Sequence, residues 1–485
     1  MAPSAEHTPM LDGQTYVNGD DERSCQSGHS DVNGLHRFGT LHKDVQLYRA
    51  NTGLLRKRLA PLYSESVTAK IWNIAARSLD QVSPPTSHPE YTAPGSSEYT
   101  YSSHEFWTSG FFPGSLAVLY QRRCLYSQHE VLANQHSPHV LKLQHACRWW
   151  SDALHSQAAR RDTHDLGFMI QPWAQVLWEL DGDRKALASL VAAAYSLASR
   201  FDDKVKAIRS WDTCFTKRYR FADPYQDFLV IVDSMMSKPK VSRRLVLAAT
   251  NRGRTDLNLL YYVARELHDE NLFKVATCHA TTLMQSHVRQ DNSTYHVVNF
   301  DPSHGSIKQH LTNQGYSEDS CWARGQAWAL AGYAQTYGWT RDTQFLDLSC
   351  RLADHFLSQL PEDSVPYWDF HAPRPGPRDT SAAMIAVYGM LLLHQHLQGS
   401  TDRFLHAALE VLQGVLTTSM APEAEFQGLG SDGLATANRG EETVLLHATI
   451  NNYEFAPRRW ADHGLVYADY YFLLVGNELL RMGLV

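Results

Sequence analysis

Apolar residues recur along most of this chain every three to four positions, the spacing that buries one stripe of a helix. The pattern runs through Ser115–Arg122, Val140–Ser156, Lys185–Phe201, Asn271–Val288, Arg324–Tyr337, Gln344–Leu360, Ser381–Leu397, Arg403–Thr417 and Leu465–Arg481. Polar starts precede two of these segments. Thr340-Arg-Asp-Thr and Ser400-Thr-Asp supply side-chain oxygens for the N–H groups of a first helical turn. Strand-type alternation is almost absent. The exception is Ser293–Phe300, STYHVVNF, which is followed by Asp-Pro and reads as one arm of a small hairpin. About a dozen helices, without a heptad seam or a sharp short-period repeat, predict an all-α single domain of paired helices wound into a toroid. Chemistry is then expected in the Gly-, Pro- and aromatic-rich loops at one end.

Composition narrows this picture. With 485 residues and 43% hydrophobic content, the chain can bury one large core. A net charge of -7 argues against nucleic acid as the main partner, but leaves room for an anionic ligand in a local Arg/His pocket. Seven cysteines, an odd number without a CxxC pair, do not make a disulfide framework. The first thirty residues hold no apolar segment of the secretory kind, and no run of about twenty apolar residues occurs. The expectation is a cytoplasmic chain without a membrane partner, with a disordered polar tail over residues 1–40 and one catalytic domain over 41–485. The 25 histidines include no HExxH pair and no Cys/His cluster at zinc spacing, so neither metal nor cofactor is expected. Gly428-Leu-Gly-Ser-Asp-Gly433 fits a dinucleotide-loop pattern on paper, but lacks a preceding strand and is discounted.

Candidate chemistry concentrates in Thr312–Trp328, TNQGYSEDSCWARGQAW. Trp322 offers a flat face for a sugar ring, and Arg324 a fork of N–H donors for a carboxylate. Related loops read HEFWTSGFFPG from His104, THDLGF from Thr163, Ser210-Trp211-Asp212, VIVDSMM from Val230 and VPYWDFHAPRPGPRDT from Val365. Taken alone, each of these residues has a plainer reading. Acids at such positions often cap helices or sit satisfied in cores, a lone His is usually structural, and Trp usually packs.

Together the motifs closely resemble the unsaturated glucuronyl hydrolases (glycoside hydrolase family 88), in the family's order from about residue 40 onward. The resemblance implies an (α/α)6 barrel and substrates left by polysaccharide lyases, oligosaccharides ending in a C4–C5 unsaturated uronic acid. It implies hydration of the vinyl ether, with Asp233 as acid/base and Asp165 as the second acidic residue. It also implies His296, Gln314, Arg324, Trp107, Trp211 and Trp322 as substrate-binding residues. A carboxyl flanked by Ile231, Val232 and Met235 would be desolvated and keep its proton near neutrality. The alternatives are a related barrel acting on unsaturated rhamnogalacturonan or another enol ether, and a non-catalytic glycan-binding barrel.

One departure from the family pattern follows the acid/base motif. Ser237–Thr255, SKPKVSRRLVLAATNRGRT, is basic and splits a helical pattern that resumes at Asp256. It reads either as a non-coding stretch carried into the chain or as a basic loop beside the site.

Overall fold

The computed structural model describes residues 52–130, 137–235, 256–398, 400–430, 433–438 and 440–485. The expected polar tail, 1–40, and the basic insertion Ser237–Thr255 lie outside the described residues. In chain order the first helices are α1 (Thr52–Leu59), α2 (Glu65–Ala76), α3 (Phe111–Leu125), α4 (Val140–Ser151), α5 (Leu166–Asp181) and α6 (Arg184–Ala198). Then come α7 (Asp256–Leu267), α8 (Glu270–Ser286), α9 (Ala323–Thr340), α10 (Thr343–Ser358), α11 (Thr380–His396), α12 (Arg403–Thr418) and α13 (Val466–Arg481).

Alternate helices do different work. α3, α5, α7, α9, α11 and α13 each touch the next, and α13 returns to α3, which closes an inner ring of six. The helices α4, α6, α8, α10 and α12 lie against the inner helices α3, α5, α7, α9 and α11, respectively, and α2 also reaches α3. This is the all-α (α/α)6 barrel. Sequence pattern separates the two layers. Outer α10 buries Phe345, Leu348, Ser349, Leu352 and Phe356, a single stripe. Inner α13 is buried at every residue from Val466 to Leu480, as a helix covered on all sides must be. The inner ring closes tightly where Gly114 of α3 meets α5, since a Cβ there would lie 2.7 Å from Pro172 Cβ.

The helices expected from periodicity are present with shifted ends. Val140–Ser156 becomes α4 and then a 3₁₀ segment, Asp152–Ala159. Asp342 caps α10 by accepting from the Gln344 N–H at 3.1 Å, while Asp402 precedes α12 without a side-chain cap. The scarcity of strands needs correction. Four two-stranded hairpins occur among the described residues: β1 (Ser87–Thr92) with β2 (Tyr99–Ser103), β3 (Phe201–Asp202) with β4 (Ala207–Ile208), β5 (Cys214–Phe215) with β6 (Arg220–Phe221), and β10 (Ala424–Gly430) with β11 (Gly433–Asn438). A three-stranded sheet orders β7 (Phe228–Ile231), β8 (Val297–Phe300) and β9 (Ile307–Leu311). Strands of two to seven residues inside loops leave too short a record for a two-residue period to register. The expected hairpin arm is β8, which pairs with β9 but is also the centre of this sheet. Among the described residues, no helix is long and apolar enough to cross a membrane.

Candidate active site

The three-stranded sheet draws the candidate residues to one edge. β7 and β8 run antiparallel with Ile231 opposite Val297, and the Val232 N–H continues the ladder by donating to the His296 carbonyl at 3.0 Å. Asp233 and His296, 63 positions apart in the chain, thereby become neighbours. β9 pairs Leu311 with Val297, so Thr312–Gln314 leave the sheet beside His296. On the other side Trp211 bridges Leu229 of β7 and Thr163, which brings Asp165 alongside.

Inner-helix starts complete the site. Asp165 is the N-cap residue of α5, Arg324 lies in the first turn of α9, Asp379 caps α11, and Tyr467 lies in the first turn of α13. Trp107 precedes α3 and touches Phe168 and Tyr467, with ring centroids 5.8 and 5.2 Å apart. Helix N-termini carry partial positive charge, so this end of an acidic protein suits an anion.

Asp233 sits on a 3₁₀ turn, Val232–Met235, and is buried. Burial pushes its carboxyl up to about 7; Arg324 opposes this and Asp165 adds to it. Its Oδ1 has no hydrogen-bond partner in the protein. The Trp328 indole lies close enough to favour the charged form slightly, yet its Nε1–H completes no hydrogen bond. Asp165 is more open. One of its oxygens accepts from the Thr163 hydroxyl and the other lies 3.3 Å from His164 Nε2. Burial lowers the His164 pKa and favours a neutral ring.

His296 is a neutral donor. The Asn313 backbone N–H donates to its Nδ1 at 3.2 Å, with the Thr312 hydroxyl 3.1 Å away. An accepting Nδ1 fixes the ring proton on Nε2. Burial first, then Arg324 and His287, hold the ring well below its usual pKa. Nε2 is buried without a partner in the protein. The site thus combines a carboxyl that holds its proton near neutrality with an unspent N–H donor on the neighbouring strand.

Arg324 corrects the expectation of an open fork. Its Nη1 donates to Asp379 and to the Thr449 carbonyl, each at 2.6 Å, and its Nη2 to Gln314 Oε1 at 2.7 Å and the Ile450 carbonyl at 2.6 Å. Both partners of the Arg324–Asp379 pair are essentially inaccessible to solvent. With its terminal nitrogens committed, Arg324 aims the Gln314 amide and supplies charge. Trp322 is corrected too. It is 2% exposed, with the His296 ring 4.4 Å from its centroid and the Arg324 guanidinium also 4.4 Å away. It supports His296 and is no open stacking face. Trp107 and Trp211 keep part of their surface, and Trp211 sits edge-on to His164 at 5.9 Å.

Four residues escaped the sequence reading. His164, Trp328 and Asp379 stood inside quoted motifs but were not singled out. Tyr467, buried with its hydroxyl unpartnered in the protein, lay in a stretch that reads as plain apolar helix.

No family model matches the chain. The unsaturated glucuronyl hydrolase of Formosa agariphila is 30% identical over 372 residues, covering 76% of this chain and 78% of that protein. An unsaturated chondroitin disaccharide hydrolase of Streptococcus pneumoniae is 28% identical over 380 residues, covering 77% and 82%. The crystal structure of an unsaturated glucuronyl hydrolase specific for heparin superposes with a TM-score of 0.67 at 26% identity, over 89% of this chain and 98% of the other.

Proposed function

The chain belongs to the unsaturated glucuronyl hydrolases, and from that premise we propose how its own residues carry the reaction. It is a glycoside hydrolase that releases the terminal C4–C5 unsaturated uronic acid from lyase-generated oligosaccharides. Asp233 gives its proton to C4 of the vinyl ether, leaving a cation shared by C5 and the ring oxygen. Water adds at C5 and returns a proton to the Asp233 carboxylate, so one residue serves as acid and then base. The hemiketal opens to a ketone at C5, and the hemiacetal left at C1 collapses and expels the neighbouring sugar. No anomeric displacement occurs, so the carboxylate-spacing rule of ordinary glycosidases does not govern this pair.

The observation that carries this reading is the Asp233 carboxyl, held at about 7 by burial, with Oδ1 unspent on the turn whose Val232 N–H bonds the His296 carbonyl, and with His296 Nε2 unspent as well. A carboxyl of ordinary acidity would be almost wholly ionised at neutral pH and a poor acid for carbon. His296 and the Gln314 amide hold the uronate carboxylate and its hydroxyls. Asp165 raises the proton affinity of Asp233, and Trp107 and Trp211 border the sugar rings. Relatives named for chondroitin disaccharide and heparin point to glycosaminoglycan fragments as the substrate class.

The test is decay of the ultraviolet absorbance of the conjugated enol acid on unsaturated chondroitin and heparin disaccharides. Decay with the parent and none with Asp233→Asn supports the reading. Equal decay with both overturns it.

A further inference from the structure

Asp233 stands on one 3₁₀ turn, a short element with poor hydrogen-bond geometry of its own. Besides the Val232 N–H bond to the His296 carbonyl, contacts with α9 and α8 hold it. On the α9 side, a Cβ on Gly332 would lie 2.6 Å from Met235 Cβ, and one on Gly325 would lie 3.1 Å from Val232 Cγ1. These two glycines, seven positions apart on one face of α9, let the turn lie directly against the helix backbone.

On the α8 side the contact is polar. The Ile208 backbone N–H donates to His279 Nδ1 at 3.0 Å, so the neutral ring carries its proton on Nε2. That nitrogen lies 2.9 Å from Ser234 Oγ, and the Ser234 hydroxyl donates onward to the Ile231 carbonyl at 2.7 Å. The chain of bonds starts at β4, crosses α8 and ends at the peptide where β7 becomes the turn. His279 is wholly buried, and burial, with His287 and His164 adding to it, keeps its pKa at about 3. It stays neutral throughout any working range, so the chain of bonds does not titrate with the acid it supports.

We propose that His279 and Ser234 are positioning residues for the acid/base: through the Ile208–His279–Ser234–Ile231 chain of bonds they fix the turn that keeps the Asp233 carboxyl buried. This rests on the reading of Asp233 as the acid. The groups that face Asp233 are Asp165 from α5, Arg324 and the Trp328 indole from α9, and Tyr467 from α13. His279 makes no hydrogen bond to any of them. Its loss therefore acts on Asp233 by loosening the turn and admitting water, which lowers the carboxyl's pKa toward its ordinary value.

The experiment compares parent, Ser234→Ala, His279→Leu and His279→Gln. It measures kcat and KM against pH on an unsaturated chondroitin disaccharide, and thermal unfolding against pH without substrate. Ser234→Ala and His279→Leu are expected to lose roughly tenfold or more in kcat with little change in KM, because the acid is misplaced while the binding groups remain. The alkaline limb of kcat/KM should move acidward by about half a pH unit or more. His279→Gln, whose amide can still donate to Ser234, should recover most of kcat and the parent limb. The substrate-free measurement separates this inference from the function it rests on. Relative to Asp233→Asn, the parent should lose unfolding temperature as pH rises toward 7, and Ser234→Ala should lose less. A Ser234→Ala protein whose alkaline limb and pH slope of unfolding both match the parent overturns the proposal, however much its overall stability falls. Should His279→Leu fail to fold, Ser234→Ala decides alone.

Discussion

Two buried carboxyls of this barrel share a cause and differ in use. Burial raises Asp469, in the first turn of α13, to about 6, and Asp233 to about 7. Around Asp469 the protein then answers both oxygens. Oδ2 accepts from the Val444 N–H and the Tyr99 hydroxyl, both at 2.8 Å, and Oδ1 from the Leu445 N–H at 2.9 Å. The result is a lock that ties the 443–445 segment to α13. Around Asp233 the protein leaves Oδ1 unanswered and places an unspent His296 donor on the next strand. Desolvation alone does not make an acid catalyst. What separates the two carboxyls is whether the protein's own donors have already been spent on them.

The sharpest break of this comparison is Asp233→Asn. Losing the proposed general acid should cut kcat by about 10³, within the usual span for such a group, while the fold survives. Removing the carboxyl should also raise stability above neutral pH. The folded state of the parent keeps a proton that the unfolded chain gives up near 3.8, so parent stability falls as pH rises from about 4 to 7 and is flat beyond. Asp233→Asn has no such fall, and its unfolding temperature should exceed the parent's by a margin that grows across that window.

Arg324→Ala comes next. It strands the wholly buried Asp379, which should cost about 3–5 kcal/mol in denaturant unfolding. It also removes a charge that favours ionised Asp233, so in whatever fraction folds the alkaline limb of kcat/KM should move to higher pH. Asp469→Asn should have the opposite profile to Asp233→Asn. An amide has one acceptor oxygen where the carboxylate offers two, and leaving the Val444 or Leu445 N–H unpaired should cost about 2–3 kcal/mol. Its kcat per folded molecule should stay close to the parent's. The smallest effect is expected of Asp165→Asn on the pH profile. Removing a like charge lowers the proton affinity of Asp233, so the alkaline limb should move acidward by less than about one pH unit.

How much of this was legible beforehand follows from the range of the interactions. Helices such as α10 announce themselves because Phe345, Leu348, Leu352 and Phe356 repeat within one segment. The barrel follows from a dozen such segments. α5 was harder to read because Pro172 interrupts it, yet packing against Gly114 of α3 accommodates that proline. The site motifs were visible through their family resemblance, and the acidic residues within it. The raised Asp233 carboxyl was legible too, from its apolar neighbours Ile231, Val232 and Met235, but the states of Arg324 and Trp322 were not. Whether Arg324 is an open fork depends on carbonyls at Thr449 and Ile450, more than 120 positions away. Whether Trp322 is a platform depends on where strand pairing puts His296. A sequence displays donors; it does not display which of them the fold has already used.

The central claim is that Asp233 holds a proton near neutrality. Infrared difference spectra of parent minus Asp233→Asn, taken across pH without substrate, read that proton through the carbonyl stretch of a protonated carboxyl. A band unique to the parent should titrate away with a midpoint near 7. A parent spectrum without that band at pH 6, or with a midpoint near 4, would contradict it.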